Sequence, residues 1–402
     1  MKTEQNNNQK TEKWLNRNVA AMGFTSLFSD ASHEMATSIL PSFLTELVGS
    51  ANAPQLLGLI SGLSDASASF VKTFSGWLSD RQQKRKPLVV LGYLLTGFFV
   101  GIIGLARNWI EVLTYRVLAW MGRGTREPPR DALIADSVDK KFYGHAFGFH
   151  RSMDTLGAII GPLLAFLLIS SISLRNIFFL SLIPGFLAVL VIIIGVKEEA
   201  KTIRQREGLL WHMKSLPSDF KVFLFIMLIF GIANFNRTLF LLRVQEVLTP
   251  VNGVIIAASL SILLYTIRNI AQALADYGVG SLSDRIGRKR LLAFLGFFLF
   301  GVTSLGFVYA ADMYSFTLLF VLSGISAATY TALEKAYTAD LLPSSMRGTG
   351  YGVLQTIDGL GDFVSSFVVG TLWVLASPTF AFFYAAFLSF VSTLLLLGLV
   401  RK

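Results

Sequence analysis

Asp30, Glu34 and Thr37 recur at i, i+4 and i+7, with His33 beside them, so they share one face of any helix that contains them. Tyr143, Phe147, His150, Asp154 and Gly157 form a second such stripe. Arg116, Arg123, Arg126 and Arg130 recur along a third segment. Asn234 with Arg237, then Arg268, Gln272 and Asp276, and finally Gln355, Asp358 and Asp362 supply polar faces further on. All of these sit in long apolar runs, where a charge is costly and marks a functional position. Burial favours the protonated form of a carboxylate, so Asp30, Glu34 and then Asp154 are candidates to bind and release a proton. Arg116, Arg237 and Arg268 suit an anionic group, or neutralise nearby acids. Asp30-x-x-His33-Glu34 and His150-x-x-x-Asp154 have spacings that metal ligands use on a helix. His33 and Glu34 are adjacent and cannot follow one face, so a proton relay or a hydrogen-bonded packing role is expected and a metal site is not. Arg130-Asp131, Glu334-Lys335 and Arg151 with Asp154 also fit simple structural ion pairs.

These side chains must be positioned by apolar segments. Of 402 residues, 53% are hydrophobic and 15% charged, against about 25% charged in a soluble domain. Stretches such as LLAFLGFFLFGVTSLGFVYA are long enough to cross a bilayer as helices. The pattern predicts twelve spans near 18–45, 54–79, 87–106, 109–132, 143–170, 174–196, 218–246, 253–280, 289–310, 313–341, 345–375 and 378–400. Soluble enzymes, disordered regulators and nucleic-acid modules are excluded by such a sequence. With no cysteine there are neither disulfides nor thiolate metal sites.

The charge balance, 35 basic against 25 acidic residues, reflects topology. Basic residues gather at Lys10 to Arg17, Arg81 to Lys86, Arg126 to Lys141, Lys197 to Lys221, Arg285 to Arg290, Arg347 and the final Arg401-Lys402. Among the alternate connections only Arg107, Arg175 and Arg243 are cationic. This asymmetry predicts a multi-pass protein of the cytoplasmic membrane, with both termini and the central loop in the cytoplasm. The opening MKTEQNNNQK lacks the apolar core of a signal peptide, so the first helix is expected to be retained.

The chain is duplicated. At a constant offset, Gly76, Leu78, Ser79, Asp80 and Arg81 fall on Gly280, Leu282, Ser283, Asp284 and Arg285. The same offset superposes Ala132, Ala135 and Asp136 on Ala336, Ala339 and Asp340, and Asp154 and Gly157 on Asp358 and Gly361. Residues 1–196 and 218–402 are thus expected to form two six-helix bundles, joined by a cytoplasmic loop at 197–217. Parallel repeats of this kind are an architecture of secondary transporters, with the solute site between the halves.

The sequences GWLSDRQQKRK at 76–86 and GSLSDRIGRKR at 280–290 resemble the G-x-x-x-D-R-x-G-R-R/K loop of the major facilitator superfamily, and the likeness extends over nearly the whole chain. Gln83 replaces a glycine in the first copy. Arg116 to Gly122 resembles the family's R-x-x-x-G-x-G element, with Trp120 at its first glycine. Gly157-x-x-x-Gly161-Pro162 resembles the G-x-x-x-G-P element of its antiporters. The resemblance implies an all-α membrane protein of twelve helices in two pseudo-symmetric bundles, with no enzymatic activity and no cofactor. It implies gating by Gly76, Asp80, Arg81, Gly280, Asp284 and Arg285, whose basic residues pair with Asp136, Asp340 or lipid phosphate. Gly157, Gly161 and Pro162 would form a contact face and hinge.

The expected function is proton-coupled efflux of a small organic solute by alternating access, by a monomer that binds no nucleic acid. The cavity is expected to be lined by spans 1, 4, 5, 7, 8, 10 and 11. Candidates to contact the solute are His33, Arg116, His150, Asn234, Arg237, Arg268, Gln355 and Asp358. Competing readings are a proton-coupled importer of an anion or metal chelate, a metal-ion transporter, and an intramembrane enzyme or receptor on the same scaffold.

Overall fold

The computed structural model describes residues 14–81, 84–139, 142–198, 216–343 and 347–399, and among them every regular element is helical. The first half contains α1 (Arg17–Val48), α2 (Ala53–Arg81), α3 (Lys86–Ile102), α4 (Trp109–Asp136), α5 (Tyr143–Leu168) and α6 (Leu174–Gly195). In the second half, span 7 is broken into α7 (Ser218–Ala233) and α8 (Thr238–Asn252), and span 8 is α9 (Val254–Ile286). Span 9 joins α10 (Arg288–Leu291), a π-helical stretch at Leu292–Phe298 and α11 (Leu299–Tyr309). Spans 10 to 12 are α12 (Met313–Leu341), α13 (Arg347–Leu375) and α14 (Pro378–Leu399). Most of the expected central loop, 197–217, lies outside the described residues.

Nine helical segments among the described residues are long and apolar enough to cross a membrane on composition alone. The helices α1, α2 and α4 are not among them. Those three carry Asp30 and Glu34, Asp65 and Lys72, and the arginine series from Arg116 to Arg130. Their polarity is buried inside the protein, while lipid-facing apolar side chains such as Leu167, Ile183, Leu274 and Leu394 stand exposed.

The duplication extends to local chemistry. Gly49 after α1 and Gly253 after α8 both adopt φ 79°, and each closes its helix by donating to a threonine carbonyl, Thr45 or Thr249, at 2.9 Å. Positive φ at these turns favours glycine. Asn108 caps α4, and Asp312, at the equivalent position, caps α12. Gly157 presses onto the Leu27 carbonyl of α1, as its counterpart Gly361 presses onto Gly231 of α7.

The halves meet along α2 with α13 and along α5 with α9, two contacts that the internal pseudo-twofold exchanges. The ends of α2 and α13 remote from the chain termini pack tightest. A Cβ added at Gly62 would stand 2.9 Å from Phe363 Cα, and one at Gly370 would stand 2.5 Å from the Pro54 carbonyl. On that same face α8 meets α1 and α2, and Ser61 and Thr238 hydroxyls lie 3.3 Å apart. Asn16, Asn18 and Arg17 bind the backbone at Ser137, Lys197 and Gly195, so the termini of α1, α4 and α6 share the opposite face.

Candidate functional site

Between the halves lies a cavity of about 360 Å³, within the range of small-molecule sites. It reaches from Thr37 and Asp65 to Lys72, Lys335 and Gln355 near the terminus-bearing ends of α2, α12 and α13. Lys335 is exposed at that end. The cavity therefore opens toward the terminus-bearing face and is sealed on the other.

The break in span 7 supplies its floor. Residues 234–237 leave the helix, and their polar groups find tertiary partners instead. Asn236 N donates to Ser366 Oγ at 3.0 Å, Ser365 Oγ donates to the Asn234 carbonyl at 3.1 Å, and Asn236 Nδ2 donates to Asp65 Oδ2 at 2.8 Å. Trp120 Nε1 donates to the other Asp65 oxygen at 2.7 Å. Asp65 thus joins α2, α4 and the broken span. Irregular backbone at membrane depth is tolerated where it is buried in protein or lines a cavity.

Arg237, at the end of the break, donates to Glu34 Oε1 at 2.7 Å and also bonds Tyr265 Oη, which in turn donates to Glu34 Oε2 at 2.6 Å. Glu34 is 5% exposed. His33 Nε2 stands 3.5 Å from Glu34 Oε1. A carboxylate of the first half is thus gripped by a cation and a phenol of the second.

The remaining charges divide by side. Lys72 and Arg123 both hold Glu127, at 2.6 and 2.7 Å. Arg116 lies over the Trp120 ring at 3.9 Å, with Thr37 Oγ1 at 3.5 Å. Among the described residues Arg268 binds only neutral groups, Ser323, Asn269 and Gln272. Across from them Asp358 accepts from Tyr330 Oη at 3.0 Å, near Glu334 and Asp362. The Phe230, Phe235, Phe240 and Phe300 rings form an apolar wall.

Of the side chains singled out as solute contacts, Arg116, Asn234, Arg237, Arg268, Gln355 and Asp358 line this cavity. His33 and His150 do not. Both belong to a second polar cluster inside the first half, where Asp30 stands 3.5 Å from His33 and 3.9 Å from Arg126, and His150 Nδ1 stands 3.5 Å from Asp154 Oδ2. Ser26 donates to Asp154. No described α5 residue lines the cavity, contrary to expectation, because α5 turns Gly157 and Gly161 against α1; α2 contributes Asp65, Ser69 and Lys72 instead. Pro162 is buried in α5. Among the described residues no group of three or more His, Asp or Glu side chains is placed to hold a metal ion.

At the terminus-bearing face, Arg85 donates to Asp136 at 2.5 Å and Arg288 donates to Asp340 at 2.6 Å. A Cβ added at Gly76 would stand 3.5 Å from Pro128, and Arg285 is exposed. The Asp80, Arg81, Gly280 and Asp284 side chains lie outside the described residues.

Sequence reasoning missed Asp65 and Tyr265. Asp65, Ser69 and Lys72 follow the same i, i+4, i+7 rule that selected Asp30, Glu34 and Thr37. Tyr265 carried no such signal, since an aromatic in an apolar run reads as core.

A duplicated bundle that encloses a polar cavity between its halves, open to one face, is the build of a membrane transporter and not of an enzyme. Matches to the family model described as Major Facilitator Superfamily cover residues 22–263 and 222–402, and the chain belongs to that superfamily. It is 36% identical over 392 residues to an uncharacterized MFS-type transporter, MJ1317, of Methanocaldococcus jannaschii, covering 97% of this chain and 96% of that one. It is 25% identical over 285 residues to the multidrug resistance protein MdtG of Escherichia coli, covering 69% and 68%. In fold it is similar to the nucleoside transporter NupG, with a TM-score of 0.78 at 12% identity over 96% of this chain and 99% of that one. A D-xylose-proton symporter gives 0.74 at 14% identity, over 97% and 99%.

Proposed function

We propose that this transporter exports a small organic solute from the cytoplasm in exchange for protons, by alternating access. The observation that carries the proposal is the Glu34–Arg237 pair, which joins the two halves beside a cavity sealed on one face only. Protonating Glu34 removes one charge of the bridge and frees Arg237. Because the proton and Arg237 compete for one carboxylate, acid favours the state in which the halves part on the far face. A proton shifts a conformational equilibrium only through such a difference in affinity.

Asp30 and Asp154 form an inner relay in the same reading, connected through His33 to Glu34. The terminus-bearing face is assigned to the cytoplasm because the basic loops gather there, and Lys84, Arg85 and Lys86 on it suit lipid phosphate. The protein acts as a monomer. Export is supported by the Gly157-x-x-x-Gly161-Pro162 element and by the likeness to a multidrug resistance protein.

The test is flux in proteoliposomes with imposed pH gradients of either sign, over a panel of labelled metabolites and drugs. Export coupled to protons gives solute movement against the proton gradient. Movement in the same direction as protons contradicts exchange, and solute flux indifferent to the gradient contradicts coupling.

A further inference from the structure

Among the described residues, two buried ionisable side chains of the cavity have polar atoms without a hydrogen-bond partner. Arg116 is 1% exposed and its Nε has no hydrogen-bond partner; Glu334 is 6% exposed and its Oε2 has none. Both line the same cavity. Among the described residues neither Arg116 nor Arg268 forms an ion pair, and neither do Glu334, Asp358 and Asp362. The other cations of the lining are engaged or remote: Lys72 and Arg123 hold Glu127, Arg237 holds Glu34, and Lys335 is exposed at the mouth. Buried opposite charges ordinarily pair, because a charge left unpaired in the interior is strongly destabilising. Here they face one space without closing it.

The internal repeat shows what is missing. Asp154 in the first half has His150 at 3.5 Å and Arg130 near enough to act on it. At the repeat positions of Asp154, His150 and Arg130 the second half carries Asp358, Leu354 and Glu334. The arginine has become another acid, and the imidazole has become a leucine with no polar atom. Among the described residues Asp358 keeps only the Tyr330 hydroxyl.

We propose that the cavity binds a zwitterion with an apolar body: its carboxylate on Arg116 and Arg268, its ammonium on Glu334 and Asp358. The body lies against Trp120, Phe230, Phe235 and Phe300. The solute supplies the cation that the repeat has lost and the anion that Arg116 lacks. This inference rests on the transporter reading and names its solute class.

The test is equilibrium binding to the purified full chain in detergent, which needs no transport. The probes are 4-(aminomethyl)benzoate and straight-chain ω-amino acids of four to eight carbons, each with the matched acid lacking the amine and the matched amine lacking the acid. At least one zwitterion should bind about tenfold or more tighter than both its single-charge counterparts, a difference of about 1.4 kcal/mol. Arg116→Gln and Arg268→Gln should abolish the advantage over the amine, and Glu334→Gln the advantage over the acid, with thermal unfolding checked for each variant. If no zwitterion outbinds both counterparts, or if the amine alone binds as well, the proposal is wrong, while gradient-driven flux of another solute would leave the transporter reading standing. Zwitterion binding without any flux would do the reverse.

Discussion

Glu34 of α1 and Arg237 of the broken span meet at 2.7 Å although 203 residues separate them in the chain. Tyr265 closes the triangle, bonding both. Among the described residues the pair is shorter than the other contact of opposite charges between the halves, Arg151–Asp276 at 4.0 Å, and it stands at the depth where α1 runs unbroken and span 7 does not. In the exchange proposed above, parting the halves on the far face parts this pair.

Glu34→Gln keeps the shape and removes the charge. The lost charged hydrogen bond is worth about 1.5–3 kcal/mol, less here because Arg237 is a third exposed. The variant should fold, and its transport should lose its dependence on pH. Asp30→Asn should flatten the profile less, because Asp30 reaches the bridge only through His33. Flux measured in proteoliposomes from about pH 5 to 8 checks this. An unchanged profile in both variants removes these acids from the coupling.

Gly62 lies where α2 and α13 touch on the sealed face. A valine there introduces atoms into space already filled by Phe363, and overpacking of this kind costs about 1–3 kcal/mol. The cost falls on the state seen here, so Gly62→Val should shift the population toward the state open on the far face. Reagent access to single cysteines placed along the cavity reads this shift, and the natural chain contributes no cysteine of its own. Unaltered access would show that the close approach does not decide between states.

The ion pairs Arg85–Asp136 and Arg288–Asp340 lie near the surface. Exposed pairs contribute about 0–1 kcal/mol, so Asp136→Asn and Asp340→Asn should barely change the melting temperature. If these pairs latch the terminus-bearing face in one state, both variants should slow turnover several-fold, as should Asp80→Asn and Asp284→Asn in the matching loops. Normal turnover in all four would leave the loop motifs as topology signals alone.

The sequence made the halves legible because charged residues recur at a fixed offset, which shared apolarity cannot mimic. The Asp154–Asp358 correspondence could be read directly, and so could the arginines of α4. The break in span 7 could not. Asn234-Phe235-Asn236-Arg237 contains neither proline nor glycine, and the helix ends there because Asp65, Ser365 and Ser366 from other spans satisfy the freed backbone and side chains. The placing of the histidines was hidden for a related reason. His33 and His150 share a stripe with acids, but the close approach of α5 to α1 at Gly157 and Gly161 buries them within one half and away from the cavity. Periodicity names a face; it does not name what that face meets.

Alternation itself is most directly tested by two distances in one preparation. Spin labels at Ala51 and Ile255 report the far face, and labels at Asp139 and Pro343 report the terminus-bearing face; the second member of each pair is the repeat counterpart of the first. Measured by pulsed electron paramagnetic resonance on going from alkaline to acid pH, the first distance should lengthen while the second shortens. Distances that stay fixed, or that lengthen together, would show that the halves do not rock about the cavity.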